Sequence, residues 1–259
     1  MPNIFFDNLH LWQKQTDIDY FSHFMKTWLV FNAWMYHSTG SEKDRENIDY
    51  VKDNSNTFKN SVISYLRGND VPSNTFREYI GSLHVSLDRT LLKNKGEEIT
   101  FSNAFIGSNP KRIENRPYRG CNYKVEFTSP NNHNHTVTIT KGTTSKLNLS
   151  NTRYDLSWLE GHADFIALTE ERRNIIKDCY KLVNPKLYKN LLTTDTTNFI
   201  KCSTIHLINE EETICKGLIE MLYRLRCILF HGELVPNGDS NKVYENCYFI
   251  LKMLIDKLG

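Results

Sequence analysis

Residues 221–236, MLYRLRCILFHGELVP, combine a helical pattern with side chains capable of acid–base chemistry. They end a longer segment, 210–231, in which apolar residues recur on one helical face: Ile214, Leu218, Met221, Leu222, Leu225, Ile228 and Leu229. Glutamates crowd its first turn, where they favour the helix dipole. Gly232 suits the position after a helix, and Pro236 prevents continuation. The sequence therefore predicts a buried helix over 210–231.

Two arginines and a histidine lie at the C-terminal end of this predicted helix. At about 100° per residue, Arg224 and Arg226 flank the apolar face centred on Leu225, close to the core but able to point out of it. A histidine that titrates near neutral pH can take or give a proton, and arginine can hold a phosphate. Such a set suits the cleavage of RNA by its own 2′-hydroxyl, which needs no metal.

The spacing of Arg226 and His231 raises a geometric problem. On a continuous helix the two side chains point about 140° apart. Either the helix unwinds before His231, or two copies of the motif face each other across a two-fold interface. The competing interpretation is structural: His231 caps the helix end, and Arg226 binds nearby carbonyls or a carboxylate.

The composition indicates an ordinary globular protein. The chain has 259 residues, of which 39% are hydrophobic and 24% are charged, with a net charge of +2. This charge does not argue for nucleic acid, so RNA binding would need local patches. No segment has the length and apolarity of a membrane span or a secretory signal. The cysteines are scattered without a C-x-x-C pair, which predicts reduced, mostly buried thiols in a cytoplasmic protein.

Further helices are predicted on both sides of the chain's middle. Residues 17–37 form an aromatic helix, with Asp17 or Asp19 as its N-cap and Gly40 at its exit. Asn32 is the polar exception in it, either a hydrogen-bonded core amide or a residue near a site. Helical patterns also cover 42–67 with a break at 53–56, 73–92, 169–182 and 243–258. A short helical piece is expected from 185 to 192, and an extended segment over 199–207.

A β-rich insertion is predicted at about 97–150. Tyr123, Val125 and Phe127 alternate with charged residues, and after a turn Val137 and Ile139 alternate with threonines. A further short strand is expected around Leu147 and Leu149. The architecture expected from the sequence is therefore a mainly α domain over 1–259 with an inserted β-hairpin, α+β overall.

Two groups of polar residues in the insertion have competing interpretations. Four basic residues precede the hairpin, either as a solvated loop or as a weak RNA-contacting surface: Lys111, Arg112, Arg116 and Arg119. His133 and His135 form an H-x-H pair, but no third ligand lies nearby in the sequence. Exposed turn histidines are favoured over a metal site, and no metal or cofactor is expected.

The motif resembles a known family. Residues 226–232, RCILFHG, resemble the R-x4–6-H signature of HEPN-domain proteins, in the bacterial branch that reads approximately Y-x-x-R-x-x-L-F-H-G. Residues 28–36, WLVFNAWMY, are similar to the first helix of that branch, with its W-x-x-F-N-A-x-Y pattern. The two motifs follow the expected order and lie far apart in the chain.

The resemblance implies a HEPN-like helical bundle that forms a homodimer, with a metal-independent endoribonuclease cleft built from both copies. It makes Arg226 and His231 the catalytic pair, with Arg224, Asn32 and Tyr36 as supporting residues. It also implies a toxin or antiphage defence effector, with an antitoxin or another defence-system protein as a partner. Cys227 stands where the family commonly has a polar residue. A catalytically inactive HEPN-like module for dimerisation or for RNA or protein binding is therefore the alternative.

Overall fold

The described chain is α+β, as the sequence predicts, and it divides into two compact units. The computed structural model describes residues 18–128 and 134–258. The first unit comprises the described residues up to Ile106 and from Tyr188 onward, and it is mainly helical. The second unit spans Gly107–Leu187 and is built on an antiparallel sheet.

The described residues form nine helices and ten strands. The helices are α1 (Tyr20–Thr39), α2 (Asp44–Asp53), α3 (Thr57–Arg67), α4 (Val71–Thr90), α5 (Leu156–Gly161), α6 (Ala163–Ile166), α7 (Glu170–Leu182), α8 (Glu211–Phe230) and α9 (Gly238–Ile255). The strands are β1 (Lys93–Asn94), β2 (Glu97–Glu98), β3 (Ala104–Ser108), β4 (Ile113–Tyr118), β5 (Cys121–Phe127), β6 (His135–Lys141), β7 (Thr144–Asn151), β8 (Lys186–Lys189), β9 (Phe199–Cys202) and β10 (Ile205–Ile208).

Helix α8 lies at the centre of the first unit and confirms the helix predicted over 210–231. The predicted apolar face is buried except for the half-buried Leu229, and Cys215, Gly217 and Ile219 beside it are buried too. Helices α1, α2 and α3 and the hairpins β1–β2 and β9–β10 contact α8. A Cβ atom at Gly217 would lie 2.7 Å from Leu191 Cδ1, so the Leu191 side chain would have to shift to admit one. More than one face of α8 is therefore buried.

Helix α1 follows the sequence prediction at both ends. The Asp19 carboxylate accepts the N–H groups of Phe21 and Ser22, as expected of an N-cap, whereas Asp17 lies outside the described residues. Gly40 takes a left-handed conformation at φ +69°, which ends the helix. The core side of the helix carries Phe24, Trp28, Phe31 and Met35. The opposite side is exposed, with Leu29, Val30 and Tyr36 each more than half exposed.

The other helical predictions for the first unit are confirmed with small shifts. The break expected at 53–56 separates α2 from α3, because the Asn56 side chain accepts the Lys59 N–H at 2.9 Å and caps α3. Helix α4 begins at Val71, two residues before the predicted start, because Asp70 caps it and proline is tolerated in the first turn. The extended segment at 199–207 is the hairpin β9–β10. The helical piece expected after residue 185 is wrong, since Lys186–Lys189 is a strand.

The second unit is a four-stranded antiparallel sheet covered on one face by helix α7. Its strand order is β4-β5-β6-β7, and the expected alternation is confirmed by the pairs Tyr123↔Ile139 and Val125↔Val137. Strand β4 was not predicted; it contains Pro117, which is tolerated because β4 is an edge strand. The unit continues to Leu187, beyond the end of the insertion expected at about 97–150. Ile176 and Tyr180 of α7 bury their side chains in the same core as the sheet.

A buried ion cluster joins α2 to α8. The Glu220 carboxylate is almost fully buried and accepts hydrogen bonds from Lys52 Nζ at 3.0 Å and from Arg45 Nη1 at 2.9 Å. Lys52 is fully buried, and its Nζ lies 4.6 Å from the centroid of the Phe105 ring. A buried carboxylate is stable here because two cations offset its loss of hydration. The sequence predicted none of these contacts.

Glu220→Ala should destabilise the protein strongly. The substitution leaves the buried Lys52 without its closest counter-charge, and the loss of one partner of a buried pair typically costs about 3–5 kcal/mol. Urea unfolding followed by circular dichroism measures the change. Glu46→Ala is the matched control, because its ion pair with Lys43 is exposed and should matter little. Similar unfolding midpoints for the two variants would refute the role of the cluster.

Candidate active site

The C-terminal end of α8 carries the motif histidine on an uninterrupted helix. The His231 N–H donates to Cys227 O at 3.0 Å, so the helical hydrogen bonding continues up to His231. The chain then turns at Gly232, with φ +64°, and the Glu233 N–H donates back to Ile228 O at 2.9 Å. The helix therefore does not unwind before His231, which is itself exposed. Within one chain, Arg226 and His231 remain about 140° apart around the helix axis.

Arg226 lies at the edge of the core with part of its guanidinium engaged. Its Nη2 is 3.1 Å from the Asp44 Oδ2 at the start of α2, and its Cζ lies 4.3 Å from the centroid of the Phe230 ring. Arg226 Nε is buried and has no hydrogen-bond partner among the described residues. The side chain is 20% exposed, so solvent reaches part of the group. Arg226 thus keeps an unused donor while Asp44 offsets its charge.

Arg224 has a structural role. Its side chain is only 8% exposed, and its Nη2 donates to Glu97 O at 2.9 Å. The Glu97 carboxylate lies 3.5 Å from the same nitrogen. Arg224 therefore fastens the β1–β2 hairpin to α8. The expectation that both arginines can point out of the core is wrong for Arg224, because the hairpin covers that side of the helix.

Asn32 and Tyr36 lie on the motif helix α1, but in the described structure neither has a hydrogen bond or ring contact with the arginine–histidine pair. Asn32 is half-buried, and its Oδ1 has no hydrogen-bond partner among the described residues. Tyr36 is 53% exposed. No hydrogen bond within the described chain joins either residue to Arg226 or His231. Helix α1 instead meets α8 one turn before the motif, where Trp28 and Tyr223 have ring centroids 6.3 Å apart.

Cys227 interacts with a tyrosine. The half-buried thiol forms a hydrogen bond with Tyr223. Burial, and after it the neighbouring Cys227, raises the pKa of Tyr223 to about 12, so the phenol stays protonated at neutral pH. The thiol side chain therefore faces a neutral hydroxyl. Asp44 was not singled out from the sequence, since single-sequence patterns do not reveal contacts between distant segments. Tyr223 stands at the tyrosine position of the Y-x-x-R pattern, one helical turn before Cys227.

The four basic residues of the second unit are engaged within that unit. Lys111 pairs with Glu114, Arg112 stacks on Phe127, Arg116 lies 3.6 Å from Asp178, and Arg119 lies 2.9 Å from Glu171. Neighbouring carboxylates thus offset the positive charge of Lys111, Arg116 and Arg119, whereas Arg112 contacts an aromatic ring. A role in RNA binding remains a prediction for these residues.

His135 is buried, which corrects the expectation of an exposed turn histidine. It begins strand β6 on the core-facing side, is 1% exposed, and lies 4.6 Å from the Phe127 ring between centroids. The alternation that buries Val137 and Ile139 also buries His135. His133 lies outside the described residues. Within the described ranges, no group of three or more histidine, cysteine or carboxylate residues is arranged to hold a metal ion.

A scan against models of protein families found no match, and searches of curated proteins and of solved structures found none either.

The cysteines are free thiols, and all but Cys227 are buried, as the sequence predicts. Among residues 18–128 and 134–258, no helix is long and apolar enough to cross a membrane. The assignment of the candidate site therefore rests on the geometry of its residues and on the resemblance of its two motifs to those of HEPN-domain proteins.

Arg224→Ala should destabilise the protein more than Arg226→Ala. The first substitution removes a buried, charge-assisted hydrogen bond and leaves Glu97 O without that donor, which costs about 1.5–3 kcal/mol. The second removes a partly exposed ion pair, for which less than about 1 kcal/mol is expected. Denaturant unfolding of both variants measures the difference. Equal losses would contradict the separate roles assigned to the two arginines.

Proposed function

We propose that this protein is a HEPN-type, metal-independent endoribonuclease of the cytoplasm that acts as a toxin or antiphage defence effector. The observation that carries the proposal is the position of Arg226 and the exposed His231 at the end of the central helix α8. The resemblance of residues 28–36 and 226–232 to the HEPN motifs adds the family expectation. The α+β fold, with α1 packed against α8, is compatible with it.

The chemistry assigns one task to each residue. His231 takes the proton from a ribose 2′-hydroxyl, and the resulting oxygen attacks the adjacent phosphorus. The bond to the 5′-oxygen of the next nucleotide breaks, and a protonated histidine supplies the proton to that leaving group. Arg226 offsets the charge that develops on the phosphate oxygens. The products carry a 2′,3′-cyclic phosphate and a 5′-hydroxyl.

Two copies of the chain are needed to complete this arrangement. The uninterrupted end of α8 directs Arg226 and His231 about 140° apart, so one copy cannot bring both to one phosphate. In a two-fold dimer, the arginine of one copy can face the histidine of the other. The exposed apolar side chains of Leu29, Val30 and Phe230 are compatible with such an interface. Asn32 and Tyr36 are proposed as supporting residues on the basis of the motif alone.

A second candidate function is a catalytically inactive HEPN-like module that binds RNA or a defence-system protein, such as an antitoxin. Two contacts favour it. The Asp44 Oδ2 already neutralises Arg226 from 3.1 Å away from its Nη2, and the Cys227 thiol is hydrogen-bonded to Tyr223. In this alternative, the same helix end serves as a dimerisation or binding surface and performs no proton transfer.

The proposal predicts that Arg226→Ala and His231→Ala each lower RNA cleavage by about 100-fold or more. General acid–base catalysis by His231 typically contributes that much, and so does the stabilisation of developing charge by a donor such as Arg226. The assay uses purified protein, labelled total RNA and EDTA. Arg153→Ala and His162→Ala are matched controls, because neither residue belongs to the motif or to the compact unit that carries it. They should cleave like the wild type.

Three outcomes separate the candidates. Loss of cleavage in both motif variants, with normal unfolding midpoints, supports the nuclease. Equal cleavage by wild type and motif variants contradicts it. If the wild type binds RNA with its motif intact but cleaves none of it, the inactive module is favoured instead.

A further inference from the structure

A polar groove lies at the opposite end of α8 from the motif. It has a volume of about 770 Å³ and is formed by the end of α3, the first turns of α4, strand β9 and the start of α8. Glu211 is among its lining residues, and Arg226 follows fifteen positions later. At 1.5 Å per residue this separates the groove from the motif by about 22 Å. The groove is therefore a different site from the proposed nuclease site.

The charges of the groove leave donors for an anion. Arg77 is occupied, because its Nη1 donates to the carbonyl oxygens of Tyr65 at 3.0 Å and of Leu66 at 3.1 Å. Arg67 donates through Nε to Glu211 at 2.7 Å, which leaves its two terminal nitrogens for another acceptor. Lys201 is exposed and makes no ion pair within the described residues. Arg67 and Lys201 can thus both donate to a phosphate.

The groove also offers an aromatic ring and unused amide groups. Phe199, one of the residues that line the groove, is half-buried and stacks on His206 with ring centroids 3.8 Å apart, which restricts the orientation of its ring. The Asn69 amide makes no hydrogen bond within the described chain. Asn209 donates to Asn198 and keeps its own oxygen as an acceptor. A planar base can pack on such a ring, and amides can pair with its polar edge.

We propose that this groove binds a nucleoside phosphate. Phe199 contacts the base, Lys201 and Arg67 hold the phosphate, and Asn69 and Asn209 contact polar edges of the base or ribose. The volume lies in the range of small-molecule sites. The same chemistry is carried by a free nucleotide and by the 5′-terminal nucleotide of an RNA strand. The proposal does not depend on the nuclease function, because none of these residues belongs to the motif.

Isothermal titration calorimetry with EDTA tests the proposal on the full chain. The probes are adenosine 5′-monophosphate, adenosine, ribose 5-phosphate and a 5′-phosphorylated RNA dinucleotide. At least one phosphorylated nucleoside probe should bind about tenfold or more tightly than adenosine and ribose 5-phosphate. Tighter binding of the dinucleotide than of the mononucleotide identifies a strand end as the ligand, and the reverse order identifies a free nucleotide.

Variants locate the binding site. Lys201→Ala and Phe199→Leu should each weaken binding about fivefold or more. The first substitution removes a phosphate contact, and the second removes the aromatic ring on which the base stacks. Lys146→Ala and Tyr50→Leu are controls, because these residues are exposed and lie outside the groove. Lys201 is a surface residue, so its substitution keeps the test independent of folding. No binding of either phosphorylated nucleoside probe, or binding that both groove variants leave unchanged, overturns the proposal.

Discussion

The burial of α8 is the constraint on which the first unit depends. A 20-residue helix that passes through the core carries Glu220, Arg224 and Arg226, and each charge needs a partner from another element. Lys52 and Arg45 neutralise Glu220, the β1–β2 hairpin holds Arg224, and Asp44 pairs with Arg226. These contacts fix α2 and the hairpin around the helix.

That regularity determines how the motif can act. Because the helical hydrogen bonding continues to His231, helix geometry sets the directions in which the Arg226 and His231 side chains leave the helix, about 140° apart. A composite cleft is then a requirement of the nuclease proposal. Asp44 adds a second feature, a carboxylate that occupies Arg226 in the single chain. A phosphate bound at Arg226 would compete with that carboxylate.

Much of the fold could be predicted from the sequence because its signals are local. Apolar periodicity located α8 and the other long helices, and alternation located β5 and β6. Asp19 and Gly40 indicated the ends of α1 through their capping chemistry. The missed features depend on tertiary contacts: strand β4 contains a proline on an edge, and His135 follows the burial of its strand.

The candidate site was predicted less completely than the fold. The motif residues stand out by resemblance, but the partners of Arg224 and Arg226 lie more than a hundred positions away, and no local pattern reveals them. The groove near Lys201 was missed for the same reason, since it is formed by four elements that come from distant parts of the chain. Pairings of this kind are determined by packing around α8.

The central claim is that Arg226 of one copy acts together with His231 of another. Co-expression of an Arg226→Ala chain with a differently tagged His231→Ala chain, followed by purification of the mixed dimer, tests it directly. The mixed dimer retains one intact arginine and one intact histidine on different copies. It should cleave RNA well above either variant dimer alone. A mixed dimer that forms but is as inactive as both parents, while the wild type cleaves, would contradict the claim.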